Sequence, residues 1–217
     1  MIKAVIFDLD GLLIDSEVIS YKIYKELLEE FGHDYSLEEY AQNYSGKTEI
    51  ANVTNLIDKY KLPLSLERGL EIVIEKESSY LSKGVDLKAG AVKLLSYLKD
   101  KGFKIAMASS SKEDRALNIL RKHNISEYFD IFVFGNEVKR GKPNPDIFLK
   151  ACEKLSLKAE EALVLEDSEA GIKVAYFAKI PVICIPDMKM PSKEHLSMTT
   201  RLLNSLDEVI NYIEGYN

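Results

Sequence analysis

Five short runs rich in β-branched and apolar residues punctuate this chain: residues 3–7, 104–109 (KIAMAS), 131–135 (IFVFG), 162–167 (ALVLED) and 181–186 (PVICIP). Helical periodicity separates the last four, over 112–123, 146–156 and 168–178, after a helix at 89–101 and before one near 205–213. Strands alternating with helices build βαβ units, hence a mostly parallel sheet with helices on both faces. The runs VIF, LVL and VICI are apolar without alternation, as strands buried on both faces require. Few other architectures accommodate that order.

The alternation is interrupted once. From about residue 17 to residue 83 the pattern is helical, with almost no strand signal. Ile19, Ile23, Leu27 and Leu28 share one face. Ile50, Val53, Ile57 and Tyr60 share another, and Leu70, Val73, Ile74, Glu77 and Leu81 a third. Gly32-His33-Asp34, Tyr44-Ser45-Gly46 and Leu62-Pro63 mark the turns between them. The expected organisation is a discontinuous α/β core, residues 1–15 and 86–217, carrying a helical insertion over 16–85. The stretches near 12–17 and 82–88 are the expected hinge. In open α/β sheets ligands bind beyond the carboxyl ends of the strands. The insertion leaves from that edge and is expected to act as a lid.

Bulk properties narrow the partners. The net charge is −6 without a Lys/Arg block, which argues against nucleic acid. No apolar run approaches the roughly 18–20 residues that span a bilayer. The opening MIKAVIFD enters a strand directly, without a signal-peptide layout, so a cytoplasmic, soluble protein is expected, with a monomer as the default. The two cysteines, Cys152 and Cys184, form no C-x-x-C pair and are expected to be reduced and buried. His33, His123 and His195 form no spacing pattern and receive no role.

Polar clusters stand at the ends of four strands. Asp8-Leu9-Asp10 follows the first, Ser109-Ser110-Ser111 the second, and Glu166-Asp167 the fourth; Lys142, in GKPNPD, lies in the loop after the third. Each has a plain structural explanation alone. Asp8 or Asp10 suits a turn before Gly11. Ser110 with Glu113 fits a capping box, which leaves phosphate binding open. Lys142 suits a solvated loop, and Asp167 or Ser168 an N-cap. Together they converge on one sheet edge, where carboxylates can hold Mg²⁺ and hydroxyls, helix amides and a lysine can hold a phosphate.

The set resembles the haloacid dehalogenase (HAD) superfamily. Its first motif, D-x-D-G, matches Asp8-Leu9-Asp10-Gly11; the second, a strand-terminal Ser/Thr, is Ser109; the third is Lys142; the fourth is Glu166-Asp167 in LEDSEAG. The likeness is to the β-phosphoglucomutase and small sugar- or nucleoside-phosphate phosphatase branch, including pseudouridine-5'-phosphatase-like proteins that share the DGLL-D-(S/T)-E opening. It implies a Rossmann-like core with a small helical cap. It also implies a Mg²⁺-dependent phosphatase acting on a small phosphorylated metabolite through an aspartyl-phosphate. By the resemblance Asp8 is the nucleophile and Asp10 the general acid and base. Asp8, the Asp10 backbone carbonyl and Asp167 ligate the metal, with Glu166 ligating too or standing behind. Ser109, Ser110 and Lys142 hold the phosphoryl group.

The alternative within the same branch is a hexose phosphate mutase. Such mutases carry a cap His near the position of Ser20 and a phosphate-binding Arg near that of Glu49. Both departures favour hydrolysis. Lys47 and Lys76 are the cap residues expected to contact the leaving group, against the simpler reading as solvated helix lysines. Tyr24, Tyr40, Tyr44 and Tyr80 are expected to pack the cap.

Overall fold

Ala4–Phe7 (β1) is wholly excluded from solvent and is flanked by a strand on each side, which makes it the axis of the sheet. The computed structural model describes residues 1–216. After β1 come four helices, Ser16–Glu29 (α1), Leu37–Asn43 (α2), Glu49–Tyr60 (α3) and Leu66–Lys83 (α4). The alternating part follows: Ala91–Asp100 (α5), Lys104–Ser109 (β2), Glu113–Lys122 (α6), Ile131–Phe134 (β3), Asp146–Leu155 (α7), Ala162–Glu166 (β4) and Glu169–Phe177 (α8). Val182–Cys184 (β5), Lys193–Leu196 (α9), Arg201–Leu202 (β6) and Leu206–Tyr216 (α10) close the chain.

The six strands form one parallel sheet in the order β3-β2-β1-β4-β5-β6. This is the α/β, Rossmann-like architecture expected from the alternation. Register aligns the carboxyl ends: Phe7 pairs with Met107 on one side and Leu165 on the other. Asp8, Ser109 and Glu166 therefore emerge at the same edge, within two residues of that row. Side chains alternate across the pleat. Ile6, Ala106, Ala108 and Val164 pack with Ile147, Phe148 and Ala151 of α7 and Val174 and Ala175 of α8. α5 covers β2 and packs against α10. Cys152 and Cys184 are buried free thiols, and burial pushes them up to about 11 and 12.

The chain divides into two compact units, Met1–Asp15 with everything from Asp86 onward, and Ser16–Val85. In the first unit Leu12, Leu13 and Ile14 are buried, and Ile14 bridges to Asp10 and to Leu87. Asp15 N–H donates to the Asp86 carbonyl, and Lys88 pairs with the Asp15 and Asp187 carboxylates.

In the second unit α4 packs on α1 and α3. Gly69 permits the α3 contact, because a Cβ there would lie 2.8 Å from Val53 Cγ1. Tyr24, Tyr35, Tyr40 and Tyr44 fill the centre, buried and in ring contact. Tyr80 is half-buried and hydrogen-bonds Glu26. Two faces differ from expectation. Ile50 is 59% exposed and Ile74 43% exposed. Thr48 caps α3, which puts Ile50 in the first turn, and the buried stripe runs through Asn52, Val53 and Leu56. On α4 the buried line passes through Gly69 and Val73.

Candidate active site

The site starts from burial of charge. Asp8 follows β1 and is buried, its amide bonded to the Leu165 carbonyl at 3.2 Å. Glu166 ends β4 and is 0% exposed. Asp167 follows it and is also buried. Ligand oxygens of these three carboxylates lie within 4.8 Å of one another. Like charges held this close in a low-dielectric setting oppose each other's ionisation.

One cation enters the cluster. Lys142 Nζ donates to Asp8 Oδ1 at 2.7 Å and to Glu166 Oε1 at 2.5 Å, and lies 5.2 Å from the Phe148 ring centroid. Burial opposes the Lys142 charge, but Asp8 and Glu166 outweigh it and hold the ammonium well above its ordinary range. Asp8 is pushed up to about 7: burial raises it, Lys142 draws it down, and Glu166 and Asp10 raise it further. Asp8 stays raised even with Lys142 beside it, so the lysine offsets only part of the negative charge there. That excess, on oxygen donors alone, fits a hard divalent cation such as Mg²⁺.

Glu166 has little freedom. Its Oε2 accepts from the backbone N–H groups of Asp167 and Ser168 and from Ser168 Oγ, each at 3.0 Å, while Oε1 takes Lys142. Two glycines make room for the acid pair. A Cβ on Gly171 would stand 1.6 Å from Glu166 Oε1, and one on Gly11 2.4 Å from Asp167 Oδ2. Gly11 also has φ +76°, the left-handed region that disfavours side chains.

Ser109 is buried, and its Oγ accepts the Ser111 N–H at 3.0 Å. Ser110 is exposed and forms no capping box: Lys112 is the N-cap of α6 and makes no side-chain cap bond. Asp10 departs from the acid cluster. Its carboxylate is held by two guanidinium nitrogens of Arg115, at 2.9 and 3.2 Å, and by the Ser111 hydroxyl. Arg115 is absent from the sequence reading, and Ser111, part of the expected hydroxyl cluster, is given no link to Asp10 there. Ser111 stands just before the N-cap Lys112 and Arg115 in the first turn of α6, and the two meet at 2.9 Å.

Lys47 is exposed in the turn before α3. Lys76 lies 2.9 Å from Glu30 and 3.1 Å from Glu26, carboxylates of its own unit. Those two pairs explain its position without a substrate.

The profile of the haloacid dehalogenase-like hydrolases matches residues 5–185, a span that takes in every strand-end cluster described above. The chain belongs to that family. This HAD protein is 34% identical over 178 residues to a phosphorylated carbohydrates phosphatase of Thermotoga maritima, covering 82% of each chain. It is 32% identical to a probable pseudouridine-5'-phosphatase of Drosophila melanogaster, covering 93% of this chain and 88% of that one. Among solved structures, a putative β-phosphoglucomutase from Thermotoga maritima superposes with a TM-score of 0.83 at 30% identity, covering 99% of each chain. The expectation of a phosphatase within the HAD family agrees with both sequence relatives. No helix among the described residues is long and apolar enough to cross a membrane.

Proposed function

We propose that this HAD hydrolase is a Mg²⁺-dependent phosphatase that cleaves a small phosphorylated metabolite, a sugar or nucleoside monophosphate, through an aspartyl-phosphate on Asp8. The observation that carries the reading is the buried Asp8–Glu166–Asp167 cluster, with one lysine reaching into it. Asp8, Asp167 and the Asp10 carbonyl would hold the cation. Glu166, with its oxygens occupied by Lys142 and backbone donors, would anchor Lys142 and stand behind the metal. When bound, Mg²⁺ relieves the repulsion between carboxylate and phosphate and polarises the phosphoryl oxygens.

Asp8 attacks phosphorus as the ester P–O bond breaks, and Asp10 gives its proton to the departing oxygen. Asp10 then takes a proton from the water that attacks the aspartyl-phosphate, which releases inorganic phosphate and restores Asp8. Ser109, Ser110 and Lys142 orient the phosphoryl oxygens, since the chemistry of this transfer is mostly positioning and electrostatics. Lys47 remains the candidate for contact with the leaving group.

The test is a panel of sugar and nucleoside monophosphates assayed with Mg²⁺ for phosphate release. Release abolished by Asp8→Asn and by chelation supports the reading; a silent wild type across the panel rejects it. Likeness to the putative mutase structure favours a second reading, a hexose phosphate mutase. Ser20 and Glu49, in the places of a mutase's His and Arg, count against it. Conversion of β-glucose 1-phosphate to glucose 6-phosphate faster than phosphate release would establish it.

A further inference from the structure

Asp10, Ser111 and Arg115 form a closed triangle at the edge of the site. Arg115 Nη2 meets Asp10 Oδ1 at 2.9 Å and Nη1 meets Oδ2 at 3.2 Å, a two-pronged grip. Nη1 also donates to Ser111 Oγ at 2.9 Å, and that hydroxyl donates to Asp10 Oδ2. The arginine side chain is largely buried, 17% exposed. Planar pairing of this kind fixes direction as well as distance, which a single lysine contact does not.

The carboxylates brought together in the acid cluster are those of Asp8, Glu166 and Asp167, and the Asp10 carboxylate raises Asp8 from beside them. Asp10 sits between β1 and the buried Leu12–Ile14 stretch, on a turn with left-handed Gly11. Its carboxyl is steered from another element, the first turn of α6. The same segment begins with Ser109, Ser110 and Ser111 at the end of β2. One stretch of chain therefore carries both the hydroxyls assigned to the phosphoryl group and the side chain that aims Asp10.

We propose that Arg115, with Ser111, is a positioning residue for proton transfer to the leaving group. The inference rests on the phosphatase reading above. Arg115 neither gives nor receives a proton. Both Asp10 oxygens accept in the grip shown, which is that of the ionised form. The proton passes from Asp10 to the ester oxygen as the P–O bond breaks, from an oxygen turned out of that grip, and Arg115 sets where the carboxyl stands when it does. A displacement of about 1 Å in such an arrangement can cost on the order of 100-fold in rate.

Leaving groups separate this role from simple support of the fold. p-Nitrophenyl phosphate expels a phenolate that departs unprotonated at neutral pH, whereas ribose 5-phosphate and glucose 6-phosphate expel alkoxides that need a proton. The full-length protein with Mg²⁺ is compared as wild type, Arg115→Met, Arg115→Ala and Arg115→Lys, with kcat and KM measured on all three esters and melting temperature as a check of folding. The expected result is a kcat on the alkyl esters that falls about tenfold or more beyond the fall on the aryl ester, in line with a general-acid contribution. KM should change little, and Arg115→Lys should recover part of the loss.

Equal falls on all three esters, in variants that melt like wild type, would overturn the proposal. So would a raised alkyl-ester KM at constant kcat, which would mean direct contact with substrate. Variants that melt far below wild type would make Arg115 a residue of the fold and overturn it too. A wild type that cleaves the aryl ester but no alkyl ester removes this inference and leaves the metal-dependent nucleophile standing. A wild type that cleaves neither rejects the phosphatase reading, and the inference with it.

Discussion

Lys142 Nζ lies 2.7 Å from Asp8 Oδ1, and the same ammonium reaches Glu166 Oε1 at 2.5 Å. A loop after the third strand thus ties together the ends of the first and fourth, and neutralises part of a cluster that would otherwise repel itself. The contact makes the fold and the proposed chemistry depend on one side chain.

Lys142→Met separates those dependences only in part. It leaves Asp8 and Glu166 buried without their cation. Breaking a buried pair from one side costs roughly 3–5 kcal/mol. For a chain of this size that corresponds to a fall in melting temperature of roughly 6–20 °C. Turnover should fall at least about 100-fold, the usual cost of losing a preorganised electrostatic donor. Calorimetry and the phosphate-release assay read the two effects. A variant that melts like wild type would show that the Lys142 bridge contributes nothing to stability.

The raised Asp8 gives a pH dependence with a definite sign. Folding lifts its pKa from 3.8 to about 7, so between those values the native state holds a proton that the unfolded chain has lost. Stability then declines as pH rises through that window and levels off above about 7. Lys142, held higher still, keeps its charge throughout and adds no slope there. Asp8→Asn removes the titration. In metal-free protein the melting temperature of Asp8→Asn relative to wild type should climb from pH 5 to pH 8. A difference that stays flat, or that climbs toward acid pH, refutes this account.

Gly171→Ala tests how tightly Glu166 is confined. The new Cβ would stand 1.6 Å from Oε1 and 1.9 Å from Cδ of a carboxylate pinned by two backbone amides and Lys142. No small adjustment relieves that overlap, so the variant should lose both stability and activity. Gly215→Ala, with nothing within 4 Å of its Cβ, is the control. In a Glu166→Ala background the same change at Gly171 should add little further cost, a coupling that a double-mutant cycle measures. Additive effects would mean that the glycine serves some other contact.

Five of the sheet's six strands and the four polar clusters beyond them were legible because both rest on local patterns, whereas the two-residue β6, Arg201–Leu202, is too short to show one. Apolar runs end abruptly in Asp8, Ser109 and Glu166, and parallel register does the rest. What escaped depends on contacts between distant segments or on phase within a helix. Arg115 reads as an ordinary helix arginine until β1 brings Asp10 beside it. Lys76 reads as a solvated helix lysine or a ligand contact until Glu26 and Glu30 of α1 and its end appear next to it. Ser110 looked like a cap because it precedes Glu113 by three, yet α6 starts from Lys112. The short α2 had a usable signal in Ser36-Leu37-Glu38-Glu39, where Ser36 Oγ accepts the Glu39 N–H at 3.1 Å. Its seven residues carry too little apolar periodicity to announce a helix otherwise.

Metal binding can be read without turnover. The three carboxylates grouped at the strand ends should bind Mg²⁺ and be stabilised by it. A ligand present at 100 times its Kd stabilises by about 2.7 kcal/mol. Wild type should therefore melt several degrees higher in saturating Mg²⁺, and a chelator should reverse the gain. Asp167→Asn removes one buried charge from the cluster while keeping the shape of the side chain, so its gain should shrink or vanish. Ser109→Ala leaves the carboxylates in place. It should retain the Mg²⁺ gain while losing phosphate release, because its hydroxyl is assigned to the phosphoryl group and not to the cation. Equal Mg²⁺ gains in wild type and Asp167→Asn would remove Asp167 from the metal site.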